Sequence, residues 1–580
     1  MRLSELAKHF TETRQEAASA AATAASGAAK VLADTEISGI AEDSRMVNPG
    51  DLFFAIPGTK HNGMQFCEEA VSRGAAALVI PMGSRQSINT ALPQPPVLEV
   101  ENPRRALALA AAARWPRQPG IVAAITGTNG KTSIAEFTRQ IWDRVGWQAA
   151  SIGTLGVRGG IRPDTINTRD GRAHPIPTLT TPDAISCHKV INSMVQAGTD
   201  CLAIEASSHG LEQHRLDGMR LTAAAFSNLS HDHLDHHKDM DAYFEAKVRL
   251  FTELLPDGGG AVINLDDPWG RKLLSRIRNR NLYIQTFGKA EDADFRITGI
   301  KTQAGAGKIG SITLEVTRRG KRYILPLAMA GRFQADNALT AAALAHVAGM
   351  SVQDSLMNLP YIKPASGRMT MIPLQQRHGH ESNAMVIIDY AHTPDALEAA
   401  LGTLKQPANE TSENNRTGRL AVVFGCGGDR DSQKRPKMGA AVARHADWAI
   451  ITDDNPRSED PAAIRAQIRA GISPDDSITV DEIGNRHDAI REAISRLEEG
   501  DCLLIAGKGH EDTQLIGSET LPFNDETEVR AILASMQTTA PLLTKGEIVK
   551  SITGGAGKTK GSPATKDRPK TAVTQNMGTS

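Results

Sequence analysis

The residues at 126–133 combine glycine, lysine and threonine in an order that suits phosphate chemistry. They read Thr-Gly-Thr-Asn-Gly-Lys-Thr-Ser, between an apolar run at 121–125 and a helix-like segment, although Ile125 replaces the first glycine of the usual pattern. Glycines let backbone N–H groups close around phosphate oxygens, a helix N-terminus favours negative charge, and the lysine can bridge the outer phosphates. Thr132 would then hold Mg²⁺. The sequence therefore predicts that the following residues bind a nucleotide: Gly127, Thr128, Asn129, Gly130, Lys131, Thr132 and Ser133.

Two further polar segments each follow a short apolar run that is typical of a buried strand. The segment at 205–209 reads Glu-Ala-Ser-Ser-His, and a histidine-rich stretch lies at 228–237. Ligands of open α/β sheets bind at the carboxyl ends of strands, so both segments are candidates for a site. The histidine-rich stretch has three open interpretations: a zinc site, a Mg²⁺ site beside the nucleotide, or solvated loop histidines. The lack of cysteine and of an H-E-x-x-H helix disfavours zinc, and the phosphate loop favours Mg²⁺, with Glu205 and His233 as ligands.

Four apolar runs in the last third of the chain end in polar or glycine-rich segments. These segments lie at 389–395, 425–431, 452–461 and 507–511, and they contain aspartates, arginines and histidines. The runs before them are expected to be strands of one sheet. Such strand ends predict a second binding face, on a sheet separate from that of the phosphate loop.

Length and composition limit the classes of protein that the chain can represent. Its 580 residues exceed what one hydrophobic core usually serves, and a net charge of −1 gives no reason to expect nucleic acid or an anionic membrane as a partner. Five scattered cysteines form no C-x-x-C pair and suit reduced thiols. The start of the chain lacks a continuous apolar segment, and no apolar run approaches the roughly 18 residues that a membrane span needs. We therefore expect a soluble cytoplasmic protein with neither a signal peptide nor a membrane partner.

The alternation of strand-like and helix-like patterns predicts an α/β protein of three domains. The predicted domains span residues 1–117, 118–355 and 356–540. Residues 541–580 are polar and poor in large apolar side chains, so we expect a disordered tail there. The polar stretch at 406–418 is expected to be a mobile loop within the third domain.

Taken in order, these segments resemble motifs of the Mur ligase family, the ATP-dependent amide-forming enzymes of peptidoglycan precursor synthesis. The resemblance covers residues 37 to 535, and six ordered motifs are far more specific than any one of them alone. It implies a small N-terminal α/β domain that holds the uridine end of a UDP substrate, a central P-loop ATPase-like domain with a mostly parallel sheet, and a C-terminal Rossmann-like domain. The matching motifs are GTNGKTS at 127–133, EASSHGLEQHR at 205–215, NLSHDHLDHH at 228–237, DYAHTPDAL at 389–397, GCGGDRD at 425–431 and GKGHE at 507–511.

The resemblance also implies a reaction and its substrates. The motif set is similar to that of family members that add the third residue to UDP-N-acetylmuramoyl-L-alanyl-D-glutamate, through an acyl phosphate made with ATP. The stretch at 454–457, Asp-Asn-Pro-Arg, is similar to the signature of members that add meso-diaminopimelate rather than L-lysine. The implied partners are these small molecules, and the implied cofactor is Mg²⁺, expected as two ions. A monomer is expected.

Site residues carry over from the family where its motifs match this sequence. Lys131, Glu205, His233 and Lys247 are expected to be catalytic. The last three, together with Thr132, are expected to hold Mg²⁺, with Lys247 present as a carbamylated lysine (N6-carboxylysine). Further contacts to ATP are implied for Asn337, Arg368, Asp389 and His392, contacts to the UDP substrate for Ser44, Thr180, Thr181, Ser207, Gln213 and Arg215, and contacts to diaminopimelate for Arg430, Asp454, Asn455, Pro456, Arg457, Gly507 and Glu511.

Three alternatives stay open at this point. The same ligase could add L-lysine, or the chain could be a ligase like folylpolyglutamate synthetase, which shares the chemistry and a similar phosphate loop. Residues 37–115 disfavour the second alternative, because that enzyme normally lacks a separate uridine-binding domain. The third is a nucleotide-binding protein without turnover, which is disfavoured by the presence of Glu205, His233, Lys247 and Asp389.

Overall fold

The chain divides into two units, residues 1–530 and residues 531–580. The structure describes the chain with several gaps, and in the part that it describes no helix combines the length and the apolar character that a membrane crossing requires. The sequence predictions for His233, for nearly all of the loop at 406–418 and for the tail at 541–580 lie outside the described residues. The computed structural model describes residues 1–10, 35–58, 61–88, 95–160, 166–167, 173–174, 179–230, 236–303, 311–374, 376–377, 380–381, 384–405 and 418–538.

The N-terminal part of the chain forms a four-stranded parallel sheet whose strands lie side by side in sequence order. The helix at Pro103–Arg114 begins where it does because Asn102 Oδ1 accepts hydrogen bonds from the backbone N–H groups of Arg104 and Arg105, both at 3.1 Å. The strands are β1 (Gly39–Ala41), β2 (Asp51–Phe54), β3 (Ala77–Pro81) and β4 (Val97–Val100). The helices are α1 (Leu3–Ala7), α2 (Cys67–Ser72) and α3 (Pro103–Arg114), with 3-10 turns at Ser44–Met46, Gly63–Phe66 and Arg85–Ser87.

The central part of the chain forms a ten-stranded sheet that is parallel in its middle and antiparallel at both edges. Its strands are β5 (Ile121–Thr126), β6 (Ala149–Gly153), β7 (Gly156–Gly159), β10 (Cys201–Glu205), β11 (Ala223–Phe226), β12 (Gly260–Asn264), β13 (Tyr283–Gly288), β14 (Phe295–Gln303), β15 (Ser311–Arg318) and β16 (Lys321–Leu327), while β8 (Ile166–Asn167) and β9 (Ala173–His174) form a separate pair. The helices are α4 (Lys131–Arg144), α5 (Ala184–Gln196), α6 (Ser208–Glu212), α7 (Met240–Arg249), α8 (Pro268–Ile277), α9 (Arg332–Val347) and α10 (Val352–Met357), with short turns at Leu250–Leu254 and Leu359–Tyr361.

Strand β5 is buried on both faces, which explains its nearly continuous apolar sequence. Ala123 and Ile125 pack into the core layer beneath α4 and α9, which also contains Phe137. Val122 and Ala124 pack into the opposite layer, beneath α5 and α7. A parallel strand covered by helices on both sides needs apolar residues at every position rather than at alternate ones.

The order of the central strands makes β5 a switch point. In space the order is β16-β15-β14-β13-β12-β11-β5-β10-β6-β7, so the chain builds on one side of β5 first and then on the other. The connections that leave β5 and its neighbours therefore diverge and open a crevice at the carboxyl ends of these strands. The loop at 127–130 lies directly at that crevice, because it follows β5.

The C-terminal part forms a six-stranded sheet in the order β17-β20-β24-β21-β22-β23, parallel except at β17. The four polar segments predicted to share a binding face follow β20, β21, β22 and β24, which are neighbours in this sheet. The α/β fold class is thereby confirmed. The strands are β17 (Thr370–Pro373), β18 (Gln376–Arg377), β19 (His380–Glu381), β20 (Met385–Asp389), β21 (Leu420–Phe424), β22 (Trp448–Ile451), β23 (Thr479–Glu482), β24 (Cys502–Ala506), β25 (Thr513–Ile516) and β26 (Glu519–Pro522). The helices are α11 (Pro394–Leu404), α12 (Lys434–His445), α13 (Pro461–Arg469), α14 (Arg486–Ser495) and α15 (Asp525–Thr538).

A buried ion pair holds the carboxyl end of β24. The side chains of Arg486 and Asp525 are both 0% exposed, and they form two parallel hydrogen bonds, Nε to Oδ1 at 2.7 Å and Nη2 to Oδ2 at 2.8 Å. Arg486 Nη2 also donates to the carbonyl oxygen of Ala506 at 3.0 Å. The pair thus fixes the backbone just before the segment at 507–511, which the sequence predicts to be part of a site.

Replacing Asp525 by asparagine should destabilise the C-terminal part, because it leaves the Arg486 guanidinium buried without its counter-charge. We expect Asp525→Asn to lower the free energy of unfolding by about 3–5 kcal/mol, measured by urea denaturation followed by circular dichroism. The control is Asp488→Asn, which breaks the exposed ion pair with Arg491 (2.6 Å). Asp488→Asn should lower the free energy of unfolding by less than about 1 kcal/mol. Equal decreases in the two variants would contradict the structural role of the buried pair.

Candidate functional site

A cavity of about 420 Å³ lies between the carboxyl ends of the central strands and the first strand ends of the C-terminal sheet. One wall is the loop after β5 with the start of α4, and the opposite wall contains Arg368 and the segment from Asp389 to the first turns of α11. Gly127 lies one position before the lining of the first wall. The cavity brings together these residues that the sequence predicted for a site: Thr128, Asn129, Gly130, Lys131, Thr132, Ser133, Thr180, Glu205, Asn337, Arg368, Asp389 and His392.

Two glycines allow the loop after β5 to approach its neighbours closely. Gly130, directly before Lys131 and α4, has a φ of +88°, and a Cβ there would lie 2.3 Å from Asn337 Oδ1. Gly127 has a φ of +148°, and a Cβ there would lie 1.9 Å from Ser227 Oγ. Both the backbone conformation and the lack of space exclude larger residues, so the loop is shaped by these contacts.

Two lysine side chains converge on this loop. Lys131 Nζ donates to the carbonyl oxygens of Gly127 at 3.0 Å and of Thr128 at 2.8 Å. Lys247, on α7 and only 1% exposed, donates from Nζ to the same Gly127 carbonyl oxygen at 2.9 Å, and its ammonium lies 4.4 Å from the ring centroid of Tyr243. Positive charge is therefore concentrated at the phosphate loop, where an anionic ligand would be attracted.

Glu205 lies at the carboxyl end of β10 and is 1% exposed. Its Oε1 accepts a hydrogen bond from the Thr154 N–H at 2.8 Å, and its Oε2 accepts one from Thr154 Oγ1 at 3.2 Å. A Cβ at Gly153 would lie 2.0 Å from Glu205 Oε1, so only glycine permits this approach. From the C-terminal part, His510 Nε2 lies 3.1 Å from the Thr154 carbonyl oxygen. Burial, with the charge of Arg368, lowers the pKa of His510 to about 4, so this histidine is neutral at neutral pH.

The oxygen atoms around the cavity fit Mg²⁺. Mg²⁺ prefers oxygen ligands, and Thr132 and Glu205 both line the cavity. Thr132 Oγ1 also accepts a hydrogen bond from Arg368 Nη2 at 3.3 Å, which joins the two walls. As an ammonium group, Lys247 cannot bind a cation, whereas a carbamate on its Nζ would supply oxygen atoms. His233, the remaining predicted ligand, lies outside the described residues.

Asp389 fixes the C-terminal wall of the cavity. Its Oδ2 accepts a hydrogen bond from the Met369 N–H and its Oδ1 one from the Ala391 N–H, both at 2.8 Å. Burial raises the pKa of the Asp389 carboxyl above its ordinary value, while the Arg368 charge opposes the shift. The Arg368 guanidinium lies 4.5 Å from the ring centroid of Tyr390. Asp389 therefore holds the segment that carries Arg368 against the end of β20.

Most of the residues predicted to contact the UDP substrate lie together beside the cavity. The Thr181 hydroxyl lies 3.0 Å from Ser207 Oγ, and the Thr181 carbonyl oxygen accepts from Arg215 Nη1 at 2.6 Å. Arg215 Nη2 also donates to Gln213 Oε1 at 2.7 Å. Thr180, next in the chain to Thr181, lines the cavity. Five of the six residues predicted for this substrate are thus assembled.

Ser44, the sixth residue, has a different setting. Its hydroxyl is buried and donates to Glu69 Oε2 at 2.7 Å, on α2 of the N-terminal part. Glu42, two residues earlier, interacts electrostatically with Asp183 and Arg215. Although Glu42 keeps an exposed surface, the protein atoms packed around its carboxyl, together with the charge of Asp183, raise its pKa to about 7. The segment around Ser44 therefore lies near the group that contains Thr181 and Arg215, although the Ser44 hydroxyl itself is directed to α2.

Asn455 is the centre of the group predicted to hold diaminopimelate. Its Nδ2 donates to Glu511 Oε2 at 2.9 Å, and its Oδ1 accepts from Lys508 Nζ at 3.0 Å. Lys508 Nζ also donates to Glu511 Oε2 at 3.0 Å, and the Lys508 side chain is 0% exposed. Arg457 follows after Pro456 with a φ of +53°, and its Nη1 donates to a backbone carbonyl oxygen at 2.7 Å.

The remaining residues of this group lie at the same edge of the C-terminal sheet. A Cβ at Gly507 would lie 2.5 Å from Asp454 Oδ2, so the turn after β24 packs directly on the turn after β22. The carbonyl that accepts from Arg457 belongs to Gly428, on the turn after β21. Arg430 lies two residues further on that turn and is exposed. The structure thus places the predicted residues on three neighbouring turns.

Sequence reasoning missed several residues of these sites. Asn264 and Phe287, at or near the ends of β12 and β13, line the cavity. The strand-end rule could have identified Asn264, because the run that precedes it at 260–263, Gly-Ala-Val-Ile, is typical of a buried strand. Asp336 also lines the cavity, and burial raises its pKa to about 6. The buried contacts of Lys508 had no sequence signal beyond its place in the Gly-Lys-Gly-His-Glu motif.

Comparison with protein families agrees with the fold and with these motifs. Residues 36–115 match the family model described as "Mur ligase family, catalytic domain". Residues 125–345 match "Mur ligase middle domain", and residues 367–509 match "Mur ligase, glutamate ligase domain". Together these matches cover more than half of the chain.

Individual relatives extend the agreement over most of the chain. A protein of Bradyrhizobium diazoefficiens is 45% identical over 510 residues, which cover 87% of this chain and 96% of the relative. A protein of Mesorhizobium japonicum is 45% identical over 501 residues, which cover 86% of this chain and 96% of the relative. Both are named UDP-N-acetylmuramoyl-L-alanyl-D-glutamate–2,6-diaminopimelate ligase, as is a solved structure that is 32% identical, with a TM-score of 0.58, and covers 86% of this chain and 95% of its own. As its motifs predicted, the chain belongs to the Mur ligase family.

Proposed function

We propose that the chain is an ATP-dependent ligase that joins meso-diaminopimelate to the γ-carboxylate of D-glutamate in UDP-N-acetylmuramoyl-L-alanyl-D-glutamate. The proposal rests on the observation that the phosphate loop, Glu205, Arg368 and Asp389 line the same cavity. A ligase of this kind must hold the nucleotide phosphates and the acceptor carboxylate in one space. The relatives and the solved structure described above carry this activity in their names. A reaction that consumes ATP and a UDP-linked substrate suits the cytoplasm, where we expect this enzyme to act.

The chemistry explains why ATP is needed. A free carboxylate does not form an amide at a useful rate in water, because its oxygen is a poor leaving group. Transfer of the γ-phosphoryl group of ATP to the carboxylate gives an acyl phosphate and ADP. The amine of diaminopimelate then attacks the acyl carbon, and the tetrahedral intermediate loses inorganic phosphate and a proton to leave the amide.

This reaction collects phosphates, a carboxylate and an oxyanion in one place, and the site supplies positive charge to match. Lys131 is the first residue of α4, where the helix dipole and free backbone N–H groups favour anions. Arg368 approaches from the opposite wall, with Nη2 3.3 Å from Thr132 Oγ1. Groups held in place before the reaction stabilise developing charge without reorganising, which is how most of such catalysis arises.

Thr132 and Glu205 would hold Mg²⁺, together with Lys247 as a carbamate and, by resemblance to the family, His233. When bound, Mg²⁺ neutralises charge on the phosphate oxygens during phosphoryl transfer. Carbamylation is favoured by the arrangement of the two lysines, since two ammonium groups that share the Gly127 carbonyl repel each other. Converting Lys247 to an anion turns that repulsion into attraction.

The C-terminal group would select the amino acid by charge. Diaminopimelate carries a carboxylate and an amine at its far end, where lysine has only an amine. Arg457 and Arg430 can bind that carboxylate through charge-assisted hydrogen bonds, and Glu511 can accept the ammonium. Lysine would leave Arg457 without a carboxylate partner, and a missing group of this kind can cost on the order of 10⁴-fold in kcat/KM.

The N-terminal sheet disfavours a ligase like folylpolyglutamate synthetase. Strands β1 to β4 form a four-stranded sheet of their own, and Glu42, directly after β1, lies near the charges of Asp183 and Arg215. Such a unit suits the uridine end of a nucleotide-linked substrate. A nucleotide binder without turnover stays the second candidate, because it would need only the phosphate loop.

The reaction can be tested by phosphate release from ATP in the presence of UDP-N-acetylmuramoyl-L-alanyl-D-glutamate. We expect release with meso-diaminopimelate and little with L-lysine or with no amino acid, because the pocket pairs a second carboxylate. Release that depends on L-lysine instead would contradict the assignment of Arg457. No release with either amino acid would contradict the ligase and favour the nucleotide binder.

Lys131→Ala should remove acyl phosphate formation, because Lys131 supplies the positive charge at the phosphate loop. We expect the rate of diaminopimelate-dependent phosphate release to fall by about 10³-fold. The matched control is Lys437→Ala, which removes an exposed lysine on α12 and should leave the rate unchanged. Phosphate release at the wild-type rate in Lys131→Ala would mean that the loop does not bind the transferred phosphate.

Arg457→Ala should lower kcat/KM for diaminopimelate by about 10³-fold while the KM for ATP stays unchanged. Arg457→Lys keeps the positive charge but lacks the planar guanidinium group that can donate two parallel hydrogen bonds. Its kcat/KM for diaminopimelate should therefore lie between those of Arg457→Ala and the wild type. The control is Arg491→Ala, at an exposed position on α14. Selectivity for diaminopimelate over lysine that survives Arg457→Ala would exclude the pocket as described.

A further inference from the structure

Three histidines meet beside helix α6, outside the cavity described above. His209 lies on α6, and His236 and His237 lie shortly before α7. One ring nitrogen of each lies within 4.8 Å of the others. The rings of His209 and His236 stack with centroids 3.9 Å apart, and the centroid of His237 lies 4.9 Å from that of His236. Among the described residues, this is the one group of three or more potential metal ligands with such spacing.

A carboxylate lies beside two of these histidines. Glu212 Oε2 lies 2.8 Å from His236 Nε2 and 3.9 Å from His237 Nδ1. Ligand atoms of a tetrahedral zinc ion lie about 3.3 Å from one another, given metal–ligand distances near 2.0–2.1 Å. The two separations that involve Glu212 lie on either side of that value. Binding of one ion by both His209 and His236 requires their stacked rings to turn, so that a nitrogen lone pair of each points to the ion.

The surroundings allow an ion to enter and to be held. The His237 side chain is 3% exposed, whereas those of His236 and Glu212 are 27% and 52% exposed. Imidazole nitrogen suits Zn²⁺, Co²⁺ and Ni²⁺, while Mg²⁺ prefers oxygen. The composition of the group therefore selects transition metals even where Mg²⁺ is abundant.

We propose that His209, His236, His237 and Glu212 bind one divalent transition-metal ion of the zinc type, at a site separate from that proposed for Mg²⁺. Four protein ligands leave no open position, so the ion has a structural rather than a catalytic role. The sequence-based interpretation of the histidine-rich stretch favoured Mg²⁺ through His233. The two assignments use different residues of the stretch.

The ion would join two segments that carry residues of the proposed active site. His209 and Glu212 belong to α6, which follows Glu205, and His236 and His237 precede α7, which carries Lys247. Other contacts already join these helices, since Arg249 Nη1 donates to the Leu211 carbonyl oxygen at 2.8 Å. An ion that binds only the folded chain adds to this stability in proportion to the logarithm of its concentration.

The site can be tested by titrating the whole chain, without a polyhistidine tag, with Co²⁺ in an excess of Mg²⁺. We expect one equivalent to bind, with the intense visible absorption of four-coordinate Co²⁺, and Zn²⁺ to displace it. His236→Ala and Glu212→Gln change exposed residues and should weaken binding by about 100-fold or more. The matched control is His487→Ala, because His487 Nδ1 forms a similar pair with Glu528 Oε2 (2.6 Å) but belongs to no such cluster among the described residues.

Glu205→Gln separates this site from the one proposed for Mg²⁺, and it should leave Co²⁺ binding unchanged. Loss of binding in Glu205→Gln, unchanged binding in His236→Ala, or the absence of the visible absorption would each overturn the proposal. The titration contains neither ATP nor a UDP substrate. Its outcome is therefore independent of whether the proposed ligase activity is correct.

Discussion

The backbone carbonyl of Gly127 accepts hydrogen bonds from two lysine ammonium groups, and the rest of the site is arranged around this point. Lys131 approaches from the start of α4 at 3.0 Å, and Lys247 approaches from α7 at 2.9 Å. Two cations this close repel each other, so the arrangement is most stable when anions are nearby. Nucleotide phosphates, and a carbamate on Lys247, are anions of that kind. Glycine occupies position 127 because the backbone there has a φ of +148° and a Cβ would lie 1.9 Å from Ser227 Oγ.

Parallel sheets explain how distant segments reach this point. In the central sheet, β5, β10 and β11 are neighbours, so the phosphate loop, Glu205 and Ser227 all emerge at one edge. The C-terminal sheet presents Asp389 in the same way from β20. Hydrogen bonds from Arg368 to Thr132 and between His510 and Thr154 join the two edges across the cavity. The site is thus a space between two sheet edges rather than a pocket within one of them.

The proposed amino-acid pocket contains a buried cation. Lys508 is 0% exposed and is balanced by Glu511, while Asn455 contacts both. This network holds Glu511 in place before any substrate arrives, and a substrate ammonium would share its carboxylate with Lys508. Arg457 is held by its backbone at a positive φ and by the carbonyl of Gly428. The pocket therefore combines positive and negative groups at fixed positions, as recognition of a zwitterionic chain end requires.

Local patterns in the sequence were sufficient to predict the buried strands and the family, and to mark the loop at 127–131 as a candidate phosphate site. The glycine and lysine spacing at 127–131 and the apolar runs at 121–125 and 385–388 are short-range features, and short-range features reflect the backbone geometry of their own segment. Contacts between segments could be anticipated only where strand ends share an edge, as for Glu205 and Asp389.

Other features depended on how the segments pack. The Ser44 hydroxyl is directed to Glu69 on α2, Lys508 is buried between two turns, and His209 meets His236 and His237 from a separate part of the chain. None of these contacts follows from spacing along the sequence, because each depends on the positions of helices and turns on the sheets. The sequence by itself determined which chemical groups are available and which strands carry them. Only the tertiary structure decided which of those groups face one another, since that depends on packing between elements far apart in the chain.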